Sequence, residues 1–272
     1  MIAVVDYQKG NLKSVERGLI AAGGEAFITA DASEIAKADA IVLPGVGAFA
    51  DAAATMCELG QMEAIRDRVR AGVPFLGICL GEHLMFEHGV EGAPEGNPAC
   101  GLGLLPGTVV AMPRCDAQGK AFKVPHVGWN TIEMPACNGS GETVAVPPCG
   151  EGGGNAVLSS GGAGGGAARS SAAKRGLFEH GAFPGSAPQA GSELAFACPL
   201  FDGIAPGEYF YFTHSYIAPT GSHTIAETAH SVRFTSAVQF GERAFGVQFH
   251  PEKSSDAGAR VLANFVAIAA RG

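Results

Sequence analysis

The chain has 272 residues, enough for a sizeable core, and a net charge of -8, which argues against binding to a nucleic-acid phosphate backbone. No apolar run approaches membrane-spanning length, and no basic leader precedes the first apolar segment, so a cytoplasmic protein is expected, with no membrane role. Seven cysteines without a CxxC pair fit neither a disulfide framework nor a typical zinc site, so reduced thiols and no metal or other cofactor are expected.

In chain order, Ile2-Ala3-Val4-Val5 is a short apolar strand ending at Asp6. Leu12, Val15, Leu19 and Ile20 recur at helical spacing over residues 11–22, and Gly23-Gly24 stops that helix. Residues 26–28 and 40–43 predict two more strands. This rhythm predicts an α/β fold, an open, mainly parallel sheet with helices on both faces, whose ligands sit beyond the carboxyl ends of the strands. Pro44-Gly45-Val46-Gly47-Ala48-Phe49 follows a strand at that edge. Its glycines allow close backbone approach and present N–H groups, as an oxyanion hole needs, although an ordinary strand-to-helix turn has the same composition. Helices are predicted over 51–58 and 62–70.

The apolar run 74–78 reads as a buried strand, and residues 80–87 as a helix. Cys79 lies between them, with Gly77 and Gly81 on either side. Small residues suit a sharp strand-to-helix turn, which lifts a nucleophile out of the sheet and favours a thiolate through the helix dipole. A buried, inert cysteine is the alternative.

Residues 89–100 read as a surface loop and 108–112 as a strand. His126, Trp129 and Asn130 fall in one segment, which suits either a partner surface or a core tryptophan. Residues 136–191 carry glycine tracts too poor in large apolar groups to offset their ordering entropy. They are expected to be a disordered Gly/Ala-rich insertion within a single domain spanning 1–272, because the sheet pattern then resumes. An aromatic strand ends in Thr213-His214-Ser215-Tyr216, further strands fall within 225–239, and a last strand over 244–249 leads into His250-Pro251-Glu252-Lys253. Residues 255–270 form an amphipathic helix. His250 ends a strand at the same edge as Cys79, and Glu252 can fix its tautomer, as in a catalytic triad.

These motifs resemble the class I (triad) glutamine amidotransferases. The broad match is Gly77-Ile78-Cys79-Leu80-Gly81 with His250-Pro251-Glu252. Asp6-Tyr7, Gly10-Asn11-Leu12, the Pro44–Phe49 loop, Pro125-His126-Val127-Gly128-Trp129-Asn130 and the segments around His214 and His250 are similar to the glutaminase subunits of imidazole glycerol phosphate synthases. That resemblance implies glutamine hydrolysis by Cys79, His250 and Glu252, with Val46, Gly47 and Leu80 at the oxyanion. It implies that Gly45, His83, His214, Ser215 and Tyr216 bind substrate. It further implies a heterodimer with a separate cyclase subunit, which faces Asn11, His126, Trp129, Asn130 and Lys253. The sequence departs from the family pattern at Glu82-His83, where Met-Gln is usual, at Gln8, where glycine is usual, and in the long insertion. Alternative readings are a cysteine hydrolase of another amide and a catalytically impaired binding or regulatory subunit.

Overall fold

The computed structural model describes residues 1–135 and 195–271. The expected insertion over 136–191, with Cys137 and Cys149, lies outside them. The first half alternates as expected: β1 (Ile2–Val5), α1 (Leu12–Ala21), β2 (Ala26–Thr29), α2 (Ala32–Ile35), β3 (Ala40–Gly45), α3 (Phe49–Glu58), α4 (Gln61–Arg70), β4 (Phe75–Cys79) and the single turn α5 (Leu80–His83). Then come β5 (Phe86–Gly89), β6 (Ala99–Cys100), β7 (Leu105–Ala111), β8 (His126–Thr131), β9 (Tyr209–His214) and β10 (Tyr216–Ile217). The chain closes with β11 (Thr224–Ala229), β12 (Arg233–Phe240), β13 (Ala244–Val247) and α6 (Ser255–Ala270).

Seven strands form the main sheet in the order β11-β12-β13-β4-β3-β1-β2. From β13 to β2 neighbours run parallel, and β11 and β12 add an antiparallel edge. The strands' period of two divides the core into two layers. Ile2 and Val4 join Val15 and Leu19 of α1 and Val261, Leu262 and Phe265 of α6 on one face. Ala3 and Val5 join Ile35, Phe49, Met56, Ile65 and Val69 on the other. β10, β7, β5 and β6 make a smaller sheet, and β8 pairs antiparallel with β9 as a separate ribbon.

Three expectations need correction, and one alternative is decided. The helix expected over 80–87 ends at His83, because the Leu84 carbonyl accepts from Leu102 N–H at 2.7 Å and the chain turns into β5. Residues 99–100 are a strand paired to β5, not loop. The Trp129 segment is strand β8, and of the two alternatives for Trp129 the core is excluded, since it is 48% exposed. Cys115 is disulfide-bonded, whereas Cys57, Cys79, Cys100 and Cys198 are free; pairing follows proximity in the fold, which the spacing of an odd set of cysteines does not reveal. Among the described residues no helix is long and apolar enough to cross a membrane.

A Cβ at Gly81 would overlap the Leu43 carbonyl oxygen, and one at Gly77 would lie 2.5 Å from the Gly81 oxygen. Gly81→Ala is therefore expected to destabilise the protein by about 2–4 kcal/mol, read as a lower urea-unfolding midpoint. An unchanged midpoint would contradict this close crossing of α5 over β3.

Candidate active site

Parallel pairing brings three strand ends to one edge. Gly45 of β3 stands in register with Cys79 of β4, and Val247 of β13 with Ile78. The glycine loop, the cysteine and His250 therefore leave the sheet side by side. Cys79 itself has φ 55° and ψ -107°, a left-handed conformation that a non-glycine residue adopts only when its surroundings impose it. This turn is the sharp elbow that Gly77 and Gly81 anticipate.

His250 Nδ1 lies 2.9 Å from Glu252 Oε1, and both side chains are almost wholly buried. Asn11 Nδ2 donates to the same carboxylate oxygen at 3.3 Å. With Nδ1–H engaged, Nε2 is the nitrogen left to serve Cys79. Burial works against the imidazolium, but interactions with Cys79 and Glu252 outweigh it and raise the His250 pKa to about 9. Glu252 is itself desolvated, yet His250 and Asn11 hold its pKa below the ordinary value. Cys79 Sγ lies 3.9 Å from the Thr213 carbonyl oxygen and 3.7 Å from Gln248 Nε2.

A cleft of about 430 Å³ opens over the sulfur. Its lining includes Val46, Gly47, Leu80, His83, His214, Ser215 and Tyr216, together with Cys79 and His250. Gly45 sits just behind, where a Cβ would strike Tyr7 Oη and lie 2.9 Å from Leu80 Cβ. The structure adds lining residues that sequence reasoning missed, among them Thr213 and Glu91. Glu91 is a half-buried carboxylate whose pKa is raised by burial, and its chemistry suits the ammonium of an amino acid. Lys253, expected on the partner face, also lines this cleft, with Nζ 6.0 Å from the Tyr211 ring centre. Among the described residues no group of three or more His, Cys, Asp or Glu could hold a metal ion.

Of the expected partner-facing residues, Trp129 is exposed, Asn130 is half-buried and Asn11 reaches Glu252. His126 does not fit that role. It is only 5% exposed, with Nδ1 3.0 Å from His214 Nε2 and its ring stacked on His230. Strand alternation turns it inward while Val127 and Trp129 point out. Gln8 has φ 69° in an exposed turn, a conformation that favours glycine.

The two residues that depart from the family pattern beside the elbow are both buried. His83 Nε2 lies 2.7 Å from Gln248 Oε1, and burial lowers its pKa to about 4 despite that bond. Neither carboxylate oxygen of Glu82 has a hydrogen-bond partner. Burial, with Cys79 adding, raises its pKa well above the ordinary range.

A model of the family "Glutamine amidotransferase class-I" matches residues 3–146 and 160–269, and the chain belongs to that family. Two solved structures share the fold. A crystal structure of a glutamine amidotransferase superposes with a TM-score of 0.57 at 16% identity, over 99% of this chain and all (100%) of that one. The structure of PurLQS from Thermotoga maritima gives a TM-score of 0.56 at 14% identity, over 98% and 97%. Within the family, the chain is 36% identical to the imidazole glycerol phosphate synthase subunit HisH of Moorella thermoacetica, over 97% of this chain and 93% of the relative. It is 35% identical to the subunit of the same name from Rhodopirellula baltica, over 97% and 96%.

Two outcomes follow from these environments. In a histidine NMR titration, the His250 ring should titrate near 9 and move down toward 6.5 in both Cys79→Ala and Glu252→Gln; a wild-type midpoint at or below 6.5 would contradict the paired arrangement. Glu82→Met should stabilise the protein at pH 7 by about 1–3 kcal/mol by removing an unpaired buried carboxyl. Because the folded pKa of Glu82 is raised, its penalty grows as pH rises above the ordinary value of 4.5, so the gain should shrink in melts repeated near pH 4.5.

Proposed function

We propose that this chain is the glutaminase subunit of an imidazole glycerol phosphate synthase of histidine biosynthesis. It hydrolyses glutamine to glutamate and ammonia and supplies the ammonia to a separate cyclase subunit, with which it forms a heterodimer in the cytoplasm. That cyclase makes imidazole glycerol phosphate and aminoimidazole carboxamide ribotide. One amidotransferase domain, interrupted by residues 136–191, carries this activity. The observation that carries the reading is Cys79 on a strained elbow at the sheet edge where His250 is held by Glu252, in a chain 36% identical to a subunit HisH.

In the proposed reaction the Cys79 thiolate attacks the side-chain carboxamide carbon of glutamine. Backbone N–H groups of Val46, Gly47 and Leu80 hold the tetrahedral oxyanion, and Gly45 keeps that loop free of a side chain. His250 passes its proton to the departing ammonia, then takes one from water as the water cleaves the glutamyl thioester and frees Cys79 and glutamate. Glu252 keeps Nδ1 protonated, and Asn11 steadies Glu252. His83, His214, Ser215 and Tyr216 shape the glutamine site, and Glu91 receives its ammonium. Exposed Val127, Trp129 and Tyr209, at 53%, 48% and 57%, support the β8–β9 ribbon as the cyclase-facing surface, with Asn11, Asn130 and Lys253 nearby in the proposed contact.

The unpartnered Glu82 beside Cys79 favours one second reading, a subunit that binds a partner without hydrolysing glutamine. Glutamate release with and without cyclase and its substrate separates the two. Stimulation by the loaded cyclase is expected, with a loss of about 10³-fold or more in Cys79→Ala and about 10²–10⁴-fold in His250→Ala. Release indifferent to the cyclase would point to a hydrolase of other amides, and silence under every condition to the non-hydrolytic reading.

A further inference from the structure

Gln248 is fully buried two residues before His250, in an otherwise apolar strand end, and the reaction as described gives it no task. Its backbone N–H is spent on the Ser236 carbonyl at 3.0 Å. Its side chain spans the space between the nucleophile and α5, with Nε2 3.7 Å from Cys79 Sγ and Oε1 2.7 Å from His83 Nε2. A thiolate can only accept, so the amide N–H must face sulfur and the amide oxygen is left to His83. That oxygen also only accepts, so His83 must carry its proton on Nε2. His83 is neutral near pH 7, because burial depresses its pKa to about 4. It therefore has one N–H, spent on Gln248, and its Nδ1 can only accept.

We infer that Gln248 is a positioning residue that donates an amide hydrogen bond to the Cys79 thiolate, and that His83 locks the amide in that orientation. The inference rests on Cys79 being the nucleophile of the proposed reaction. The surroundings of the sulfur divide by protonation state. Thr213 O, at 3.9 Å, suits the S–H of the thiol, while Gln248 favours the charged form. The His83 that replaces the family's usual glutamine thus acts on the nucleophile through Gln248, and not solely on the substrate.

The test is the pH dependence of Cys79 alkylation by iodoacetamide, on the full chain without cyclase or glutamine. It is read on the Cys79 peptide by mass spectrometry, because Cys57 and Cys100 are free and exposed. Gln248→Met keeps the length of the side chain and removes the donor. It should move the alkylation profile upward by about one pH unit, a slowing of about tenfold on the rising limb. His83→Phe should move it in the same direction, and His83→Gln, which restores a donor, should return it toward wild type. Profiles unmoved in both Gln248→Met and His83→Phe would overturn the inference. So would His83→Phe raising KM for glutamine with the alkylation profile unchanged, since that would make His83 a substrate contact alone. Should Gln248→Met fail to fold by circular dichroism, the His83 pair decides: a shift with Phe reversed by Gln supports the inference, and no shift overturns it. Alkylation needs no turnover, so a displaced profile in an enzyme that releases no glutamate would retain this inference while sinking the glutaminase reading.

Discussion

The site depends on how closely one helical turn crosses two strands. α5 lies so near β3 and β4 that no side chain fits at Gly77 or Gly81, and Gly45 faces Leu80 Cβ with no room for its own. If α5 were lifted by the width of a methyl group, β4 could run on straight and Cys79 would stay in the plane of the sheet. Because α5 is held down, Cys79 takes φ 55° and its sulfur stands above the edge where His250 arrives. A strained residue of this kind costs about 1–3 kcal/mol. Leu43, Ile78, Leu80 and Leu84 around the crossing are at most 2% exposed, and each buried side chain of this size contributes about 1.5–3 kcal/mol. Local packing is therefore enough to outweigh the strain of the elbow.

Burial acts on several histidines near this edge, and their partners decide the outcome. His250 faces Glu252 and Cys79 and is pushed up to about 9. His83 meets only the neutral amide of Gln248 and falls to about 4. His126 falls to about 4 through burial and the neighbouring His230, and His214 falls well below its usual value through burial. The last two settle one another's tautomers. The Tyr216 carbonyl, 2.8 Å from His214 Nδ1, requires a proton there, so His214 Nε2 is bare and accepts from His126 Nδ1–H at 3.0 Å. His126 Nε2 is then the acceptor for Asn130 Nδ2 at 3.3 Å. Neutral histidines thus fasten the Tyr216 wall of the cleft to the β8–β9 ribbon, while the charged imidazole of His250 is reserved for the nucleophile.

Much of this was legible in the sequence because local signals agreed. The apolar strands, the helical spacing of Val15 and Leu19, the glycines around Cys79 and the end of the last strand at His250 all point to one sheet edge. What escaped depends on contacts between distant residues. The helix expected over 80–87 stops because Leu102 claims the Leu84 carbonyl, a competitor eighteen residues away that periodicity cannot show. Glu91 lies in a stretch whose composition says only loop. Gln248 did leave a trace, as a polar side chain between Val247 and Phe249 in a buried strand end, but a pattern read for hydrophobicity passes over it. The family resemblance places His126 and Trp129 on one surface, and nothing in the sequence marks their segment as a strand. Once it is a strand, their spacing of three puts them on opposite faces.

Several locally unfavourable choices among the described residues lie at one end of the sheet. Cys79 and Gln8 adopt positive φ without being glycine. Glu82 Oε1 and Oε2, Glu252 Oε2 and His250 Nε2 are buried without a hydrogen bond of ordinary geometry. Two of these have a chemical rationale, since His250 Nε2 must stay free to pass its proton on and the strain at Cys79 turns its sulfur toward the cleft. Glu82 has none. It is wholly buried and packs against Gly246 of β13, where a Cβ would lie 2.7 Å from Glu82 Cγ. A carboxyl confined there favours its neutral form, and were it to ionise it would oppose the thiolate beside it. The nucleophile is thus set between donors that favour its charge and one acid that must remain protonated for that charge to be tolerated.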